Sequence, residues 1–236
     1  MTVMEAAIAQ GLTELGLDAG KAPKLARYGR LLLEKNQVMN LTAITDPDQV
    51  ARLHMLDCAA LLGCADLQGR SLIDVGTGAG FPGLVLKIME PTLELTLLDS
   101  LEKRLNWLAQ VCAELGLDGV RFVHARAEEG SLDSGLREQF DYAAARAVAS
   151  MNTLCELCLP YVKVGGRFLA MKSVDSGREV EAAGTAVSKL GGRLEKRYDY
   201  TIPGTDVCHR VIPVAKLTPT PAGYPRRWAK IQKSPL

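Results

Sequence analysis

Along residues 1–66 the apolar positions recur every three or four residues: Ala6, Ala7, Leu12 and Leu15, then Leu25, Tyr28, Leu31 and Leu32. That period predicts helices, with Gly16 and Gly20 bracketing a break and Pro23 opening a second helix that runs to about Lys35. Asp46-Pro47-Asp48-Gln49 marks a third helix start: a capping carboxylate, proline at the first helical position, and glutamine three residues after the cap to bond back. This helix carries Arg52, His54 and Asp57 and is expected to end near Gly63.

From Gly69 the pattern changes to short apolar blocks alternating with helical stretches. Ser71 to Val75 and Leu93 to Asp99 read as buried parallel strands, which are covered on both faces and need not alternate. Val120 to His124, Phe140 to Arg146 and Arg167 to Lys172 continue the series, the last entered by a Gly165-Gly166 turn. Between them, Ser100 is a plausible cap for a helix through Leu101, Leu105, Leu108, Cys112 and Leu115. A further helix runs from Asn152 to Pro160, and another from Glu179 to Leu190. Arg193 to Tyr200 and Arg210 to Lys216 complete seven strands. Only Pro203-Gly204-Thr205 divides that last pair, too short for a parallel crossover, so they form an antiparallel hairpin. The expected fold is α/β: a seven-stranded, mostly parallel Rossmann-like sheet with its last strand reversed, plus an N-terminal helical subdomain. The expected boundaries are 1–66 for the helices, 67–217 for the sheet domain and 218–236 for a Pro-rich arm.

At 236 residues, 47% of them hydrophobic, the chain is long enough to bury a large core. No apolar run approaches a membrane span and the first residues lack a basic secretion start, so a cytoplasmic protein without membrane contact is expected. Cys155-Glu156-Leu157-Cys158 has no second pair and lies on an apolar helical stretch, which favours packing thiols over a metal site. Net charge is only +1, but residues 207–236 hold Arg210, Lys216, Arg226, Arg227, Lys230 and Lys233 and no acid, hence +6. The first 206 residues therefore carry 1 − 6 = −5. A basic, proline-rich arm with Tyr224 and Trp228 among arginines suits a polyanion, its rings stacking on bases and its guanidinium groups meeting phosphates.

The chemistry concentrates in Asp74-Val75-Gly76-Thr77-Gly78-Ala79-Gly80-Phe81-Pro82-Gly83. Its glycines permit a sharp strand-to-helix turn that a ligand can approach closely, with the helix starting near Pro82. Two ligands use such a turn. A dinucleotide wants Gly-x-Gly-x-x-Gly, which Gly78, Gly80 and Gly83 satisfy. S-adenosylmethionine has no phosphate but carries an ammonium group, for which Asp74 is the suitable acid. Asp99, 25 residues after Asp74, stands where a ribose diol lies in either case. The acid before the loop and the reversed last strand favour the methyl donor.

These segments resemble the bacterial small-subunit (16S) ribosomal RNA guanine-N7 methyltransferases, the family once called glucose-inhibited division protein B. The resemblance is carried by Asn40-Leu41-Thr42-Ala43-Ile44, Arg52-Leu53-His54-Met55-Leu56-Asp57, Asp74 to Gly83 and Leu97 to Arg104. Arg126-Ala127-Glu128-Glu129, Arg146-Ala147-Val148-Ala149-Ser150 and Tyr224-Pro225-Arg226-Arg227 complete it. Ser173 stands where the family commonly has glycine, and Trp228-Ala229-Lys230 replaces a usual Gly/Pro stretch. The resemblance implies S-adenosylmethionine contacts at Gly76, Phe81, Ala127, Glu128 and Arg146, alongside Asp74, Gly78 and Asp99 from the loop argument. It implies methylation of one guanine in the decoding-region hairpin of 16S RNA, with naked RNA or the small subunit as partner and no metal.

Guanine N7 has an in-plane lone pair and needs no deprotonation, so no catalytic base is expected. Lys172, Arg226 and Arg227 are candidates for holding RNA, and nothing in the sequence calls for more than a monomer. His54 and Asp57, three apart on one turn, read as a structural pair or an RNA contact. A nicotinamide-dependent reductase using the same glycines and a non-catalytic ribosome-assembly factor stand as the alternatives.

Overall fold

The computed structural model describes residues 2–146 and 149–236. Ala147 and Val148, part of the Arg146–Ser150 stretch that carries the resemblance, lie outside the described residues. The chain begins with helices α1 (Val3–Glu14) and α2 (Ala22–Met39), which stops at Asn40 in the left-handed region. A continuous helical run follows from Pro47–Val50 to Ala60–Gly63. Its start is capped as expected, Asp46 accepting the Gln49 backbone N–H at 2.9 Å. The middle of this run, Ala51–Leu56, is π-helical, a rare geometry often found at functional positions.

The strands are β1 (Ser71–Val75), β2 (Glu94–Asp99), β3 (Val120–His124), β4 (Phe140–Arg146) and β5 (Val162–Ser173). β6 (Gly192–Leu194), β7 (Tyr198–Thr201) and β8 (Cys208–Lys216) follow. They form one sheet in the order β3-β2-β1-β4-β5-β8-β6, with β7 also paired to β8. β1 to β5 are mutually parallel, and β8 runs antiparallel to β5, β6 and β7. The reversed strand is thus the expected one, but the strand expected over Arg193–Tyr200 is split in two, both halves pairing with β8. β5 also begins earlier than expected. Val162 pairs with Phe140 before a register shift, so Gly165 and Gly166 lie inside the strand rather than leading into it.

Alternate residues feed two apolar layers. Leu72, Leu95, Leu97, Leu169 and Met171 face a layer made by α1, α2, the run from Pro47, and the helices Gly83–Met89 and Glu102–Leu115. Ile73, Val75, Leu98, Phe168 and Ala170 face the opposite layer, built on the helix Met151–Cys158 and the segments Gly177–Ala182 and Gly184–Lys189. Cys155 and Cys158 are fully buried in that second layer as free thiols.

The expected C-terminal arm is instead a segment packed on this second layer. It contains a short helix, Trp228–Lys233, whose Ile231 is fully buried. Arg226 forms a two-pronged ion pair with the fully buried Glu156, at 2.8 and 2.6 Å, and its backbone N–H reaches the same carboxylate. Arg137 donates to the Tyr224 and Thr220 carbonyls, and Asn152 to that of Leu236. Proline did exclude a long helix; what local pattern could not reveal is an ion pair 70 residues distant in sequence. The tail's charge is reduced accordingly, since Arg210 pairs with Asp199 and Lys216 is buried against Glu138. Arg227, Lys230 and Lys233 are exposed.

Candidate functional site

Strand order reverses between β1 and β4, and the crevice beyond the carboxyl ends of such strands is where open α/β sheets bind ligands. A cavity of about 350 Å³ lies there, lined by Val75, Gly76, Asp99, Glu128, Arg146 and Trp228 among others. Its size is that of a small-molecule site.

The glycine turn contributes Gly76 to the wall, and most of its main-chain donors are already engaged. Gly76 and Thr77 donate to the Leu98 carbonyl, while Gly80 and Phe81 donate to that of Thr77. Gly78 donates to Asp99 at 2.9 Å and Gly83 to Asp74 at 2.9 Å. A Cβ on Gly83 would come within 2.8 Å of that same Asp74 carboxylate, so the third glycine is there for close approach to an internal acid, not to a pyrophosphate. A Cβ on Gly80 would collide with the Tyr28 hydroxyl, which donates to the Ala79 carbonyl from behind the loop. Gly78, at φ +58°, leaves open space beside it. The turn thus offers little for a diphosphate, and two carboxylates stand beside it.

Those two carboxylates have different places. Asp99 lines the cavity, with Oδ1 accepting the Leu101 N–H at 2.8 Å and Oδ2 taking Gly78. The helix expected to be capped by Ser100 instead starts after Leu101 with no side-chain cap, and the Asp99 bond closes a turn just before it. Asp74 is fully buried beneath the loop, accepting Thr77 Oγ1 at 2.6 Å as well as Gly83. Its Oδ1 is buried without a partner, and burial pushes the carboxyl up to about 6. Asp74 therefore shapes the loop and lends it negative charge from below, whereas the sequence had suggested direct contact with a ligand's ammonium.

On the far side, Ala127 and Glu128 line the cavity as expected. Glu128 is buried and accepts from Arg126 Nε at 2.7 Å. The Arg126 guanidinium lies 5.6 Å from the ring centroid of Trp228, a cation–π contact. Trp228 is the cavity residue that the sequence assigned elsewhere. Its one local signal was its departure from the usual tail.

Arg146 joins the cavity to the N-terminal helices. It donates to the Leu53 carbonyl at 3.1 Å, to Asp57 at 3.3 Å and to His54 Nδ1 at 3.1 Å, and its guanidinium sits 4.8 Å from the Phe81 ring centroid. His54 Nδ1 lies 3.1 Å from both the Arg146 guanidinium and the Leu53 carbonyl, accepting from the first in one tautomer and donating to the second in the other, and Nε2 lies 2.8 Å from Thr42 Oγ1. Burial and the charge of Arg146 push His54 down to about 4, which keeps the imidazole neutral. Phe81 stacks on His54 with ring centroids 4.7 Å apart and is buried, so it supports Arg146 rather than lining the cavity.

Asp57 also accepts from Tyr200 at 2.7 Å and His209 at 2.8 Å. Burial alone would raise its carboxyl, yet the His209 hydrogen bond and the Arg146 charge hold it below its ordinary value. No local sequence signal pointed to Tyr200 or His209, which the register of β7 on β8 brings together.

Of the remaining candidates, Lys172 lies away from the cavity, donating to the Ala149 carbonyl at 2.5 Å and to Glu179 at 2.7 Å. Arg226 is bound to Glu156, and Arg227 precedes the last helix on the surface. Among the described residues, no group of three or more His, Cys, Asp or Glu is placed to hold a metal, and no helix is long and apolar enough to cross a membrane.

A family model described as rRNA small subunit methyltransferase G matches residues 21–200. The chain belongs to that family. A relative named ribosomal RNA small subunit methyltransferase G from Alkaliphilus metalliredigens is 45% identical over 229 residues, covering 96% of each chain. One of the same name from Clostridium perfringens is 43% identical over 92% of this chain and 91% of its own. Solved structures give the same fold at low identity. TrmN from Thermus thermophilus aligns with TM-score 0.52 and 24% identity over 68% of this chain and 48% of its own. TYW2 from M. jannaschii, solved in complex with AdoMet, aligns with TM-score 0.52 and 14% identity over 67% of this chain and 73% of its own.

Proposed function

We propose that the protein transfers the methyl group of S-adenosylmethionine to N7 of a single guanine in small-subunit ribosomal RNA. One observation carries the donor half of this reading. The N–H groups of Gly76, Thr77, Gly78, Gly80, Phe81 and Gly83 are bonded within the protein and Asp99 stands at the cavity wall, so a diphosphate would meet a carboxylate and few free main-chain donors. The three arginines of the lining do not make up for this, because Arg104 pairs with Asp99, Arg126 with Glu128 and Arg146 with Asp57. That opposes the nicotinamide alternative, although the glycine spacing fits it.

When bound, S-adenosylmethionine supplies an electrophilic methyl group on sulfur. Asp99 would accept the ribose hydroxyls, and the buried Glu128 with the Ala127 main chain would meet the purine edge. Arg146, fixed by Asp57, His54 and Leu53, would form the side of the cavity nearest the N-terminal helices. Since N7 already presents its lone pair, the protein's task is to align it with the methyl group and exclude water. Alignment of this kind supplies about 7–11 kcal/mol in favourable cases. Arg227, Lys230 and Lys233 are the exposed tail cations that suit RNA phosphates.

The guanine assignment rests on the family, and its test is direct. Mass mapping of small-subunit RNA from a deletion strain should show loss of one methylated guanine, restored by the intact gene; an unchanged map rejects it. Binding of S-adenosylhomocysteine with no measurable binding of NADH is expected for the donor half.

A further inference from the structure

We infer that Trp228 is the purine-stacking wall of the donor cavity, which makes the C-terminal segment part of the nucleoside site. The inference rests on the methyl-donor reading above and names a residue that sequence reasoning had given to RNA.

Three observations carry it. Trp228 lines the same cavity as Gly76, Asp99 and Glu128, and it is the one aromatic among the described lining residues. Its place within the cavity is set by Arg126, whose guanidinium lies against the indole while its Nε binds Glu128. Trp228 therefore stands at the Ala127–Glu128 end, where the purine edge is expected, and not at the Arg146 end. The ring is also anchored rather than adrift. Arg226, two residues earlier, is locked onto Glu156, and Ile231, three residues later, is fully buried.

The chemistry completes the argument. A purine presents two flat faces, which carboxylates at its edge and on its ribose do not cover. Beyond Trp228 the lining is aliphatic, main chain, or the charged and polar side chains of Asp99, Ser100, Arg104, Arg126, Glu128 and Arg146. An indole with one side against a guanidinium is a suitable stacking platform for the base. An RNA base is the less suitable occupant, because the ring shares a cavity wall with Gly76, Asp99 and Glu128, while the exposed tail cations Arg227, Lys230 and Lys233 are not part of that lining.

The chain has two tryptophans, so replacing buried Trp107 by phenylalanine leaves Trp228 as sole reporter. The full-length Trp107→Phe protein is titrated with S-adenosylhomocysteine and with 5′-methylthioadenosine, which keeps the purine and lacks the amino-acid part. Saturable quenching of Trp228 emission by both ligands is expected. In the otherwise native chain, Trp228→Ala should weaken both ligands by the same factor, about tenfold by calorimetry. Trp228→Phe, which keeps an aromatic face and guards against a tail that fails to pack, should recover most of the loss. Unchanged emission at saturation, or equal affinities in Trp228→Ala, overturns the inference; so does a loss confined to RNA binding. Failure of the wild-type chain to bind either nucleoside would instead overturn the donor reading beneath it, and the wild-type isotherm tells the two failures apart.

Discussion

The two ends of the chain pack on opposite faces of the sheet and are held there by different means. The N-terminal helices bury Ile8, Leu12, Leu25, Tyr28, Leu32 and Met55 completely, in a layer continuous with the sheet. Each such side chain contributes about 1.5–3 kcal/mol, so this end is held by the core itself. The C-terminal segment has Ile231 as its one fully buried large apolar side chain and depends on Arg226–Glu156 and a few carbonyl contacts. One end is built into the fold; the other is fastened to it. The contrast matters because each delivers a side chain to the cavity's surroundings: His54 behind Arg146, and Trp228 beside Arg126.

Replacing Arg146 by alanine should have the largest effect, since it strips the cation from a buried Asp57 and loosens the N-terminal junction. A loss of about 3 kcal/mol or more in urea unfolding is expected, together with loss of methylation. Glu156→Ala should cost less, about 1–3 kcal/mol, because Arg226 is partly exposed and can turn to solvent. Its signature is local: proteases should cut beyond residue 217 while the sheet stays protected. A Glu156→Ala chain less stable than Arg146→Ala would reverse the ranking of the two ends.

A smaller effect separates the charges around Asp57. His209 is raised above its ordinary value by its hydrogen bond to Asp57. Its contribution is present below the unfolded value of about 6.5 and is lost as pH rises through the folded value. Thermal scans across that window should show a decline in the native protein that His209→Gln lacks, under about 1 kcal/mol in size because the histidine of the pair is 31% exposed and screened by solvent. The smallest changes concern RNA. Lys172→Ala should leave the salt dependence of RNA binding unaltered because its amine is engaged by Ala149 and Glu179, whereas Arg227→Ala should lower the slope by about one. The opposite pattern would return Lys172 to the RNA surface.

Most of the sheet was legible because its signals are local. Apolar blocks such as Leu72-Ile73 and Leu97-Leu98 mark central strands, and the short link at Pro203-Gly204-Thr205 forces the reversed one. The cavity wall was legible for the same reason: loop, Asp99 and Ala127–Glu128 all end or follow strands. What escaped depends on distant partners. Ser100 caps nothing, because the Asp99 strand end turns its oxygen onto Leu101 and the helix starts one residue later. Pairing of Val162 with Phe140 extended β5 past its glycines. Glu156 drew in a tail that its prolines had made look free. Arg146 itself was foreseen, but its bond to Asp57, 89 residues away in sequence, was not.

Tyr28 presses on the glycine turn from behind, and Gly80 has no side chain because that hydroxyl occupies the room. The curvature that greets a nucleoside is therefore moulded partly by a helix laid down long before the first strand. Trimming the protein to its sheet would give a fragment with every strand intact and a slack binding bend, so a minimal catalyst made from this chain has to begin upstream of α2.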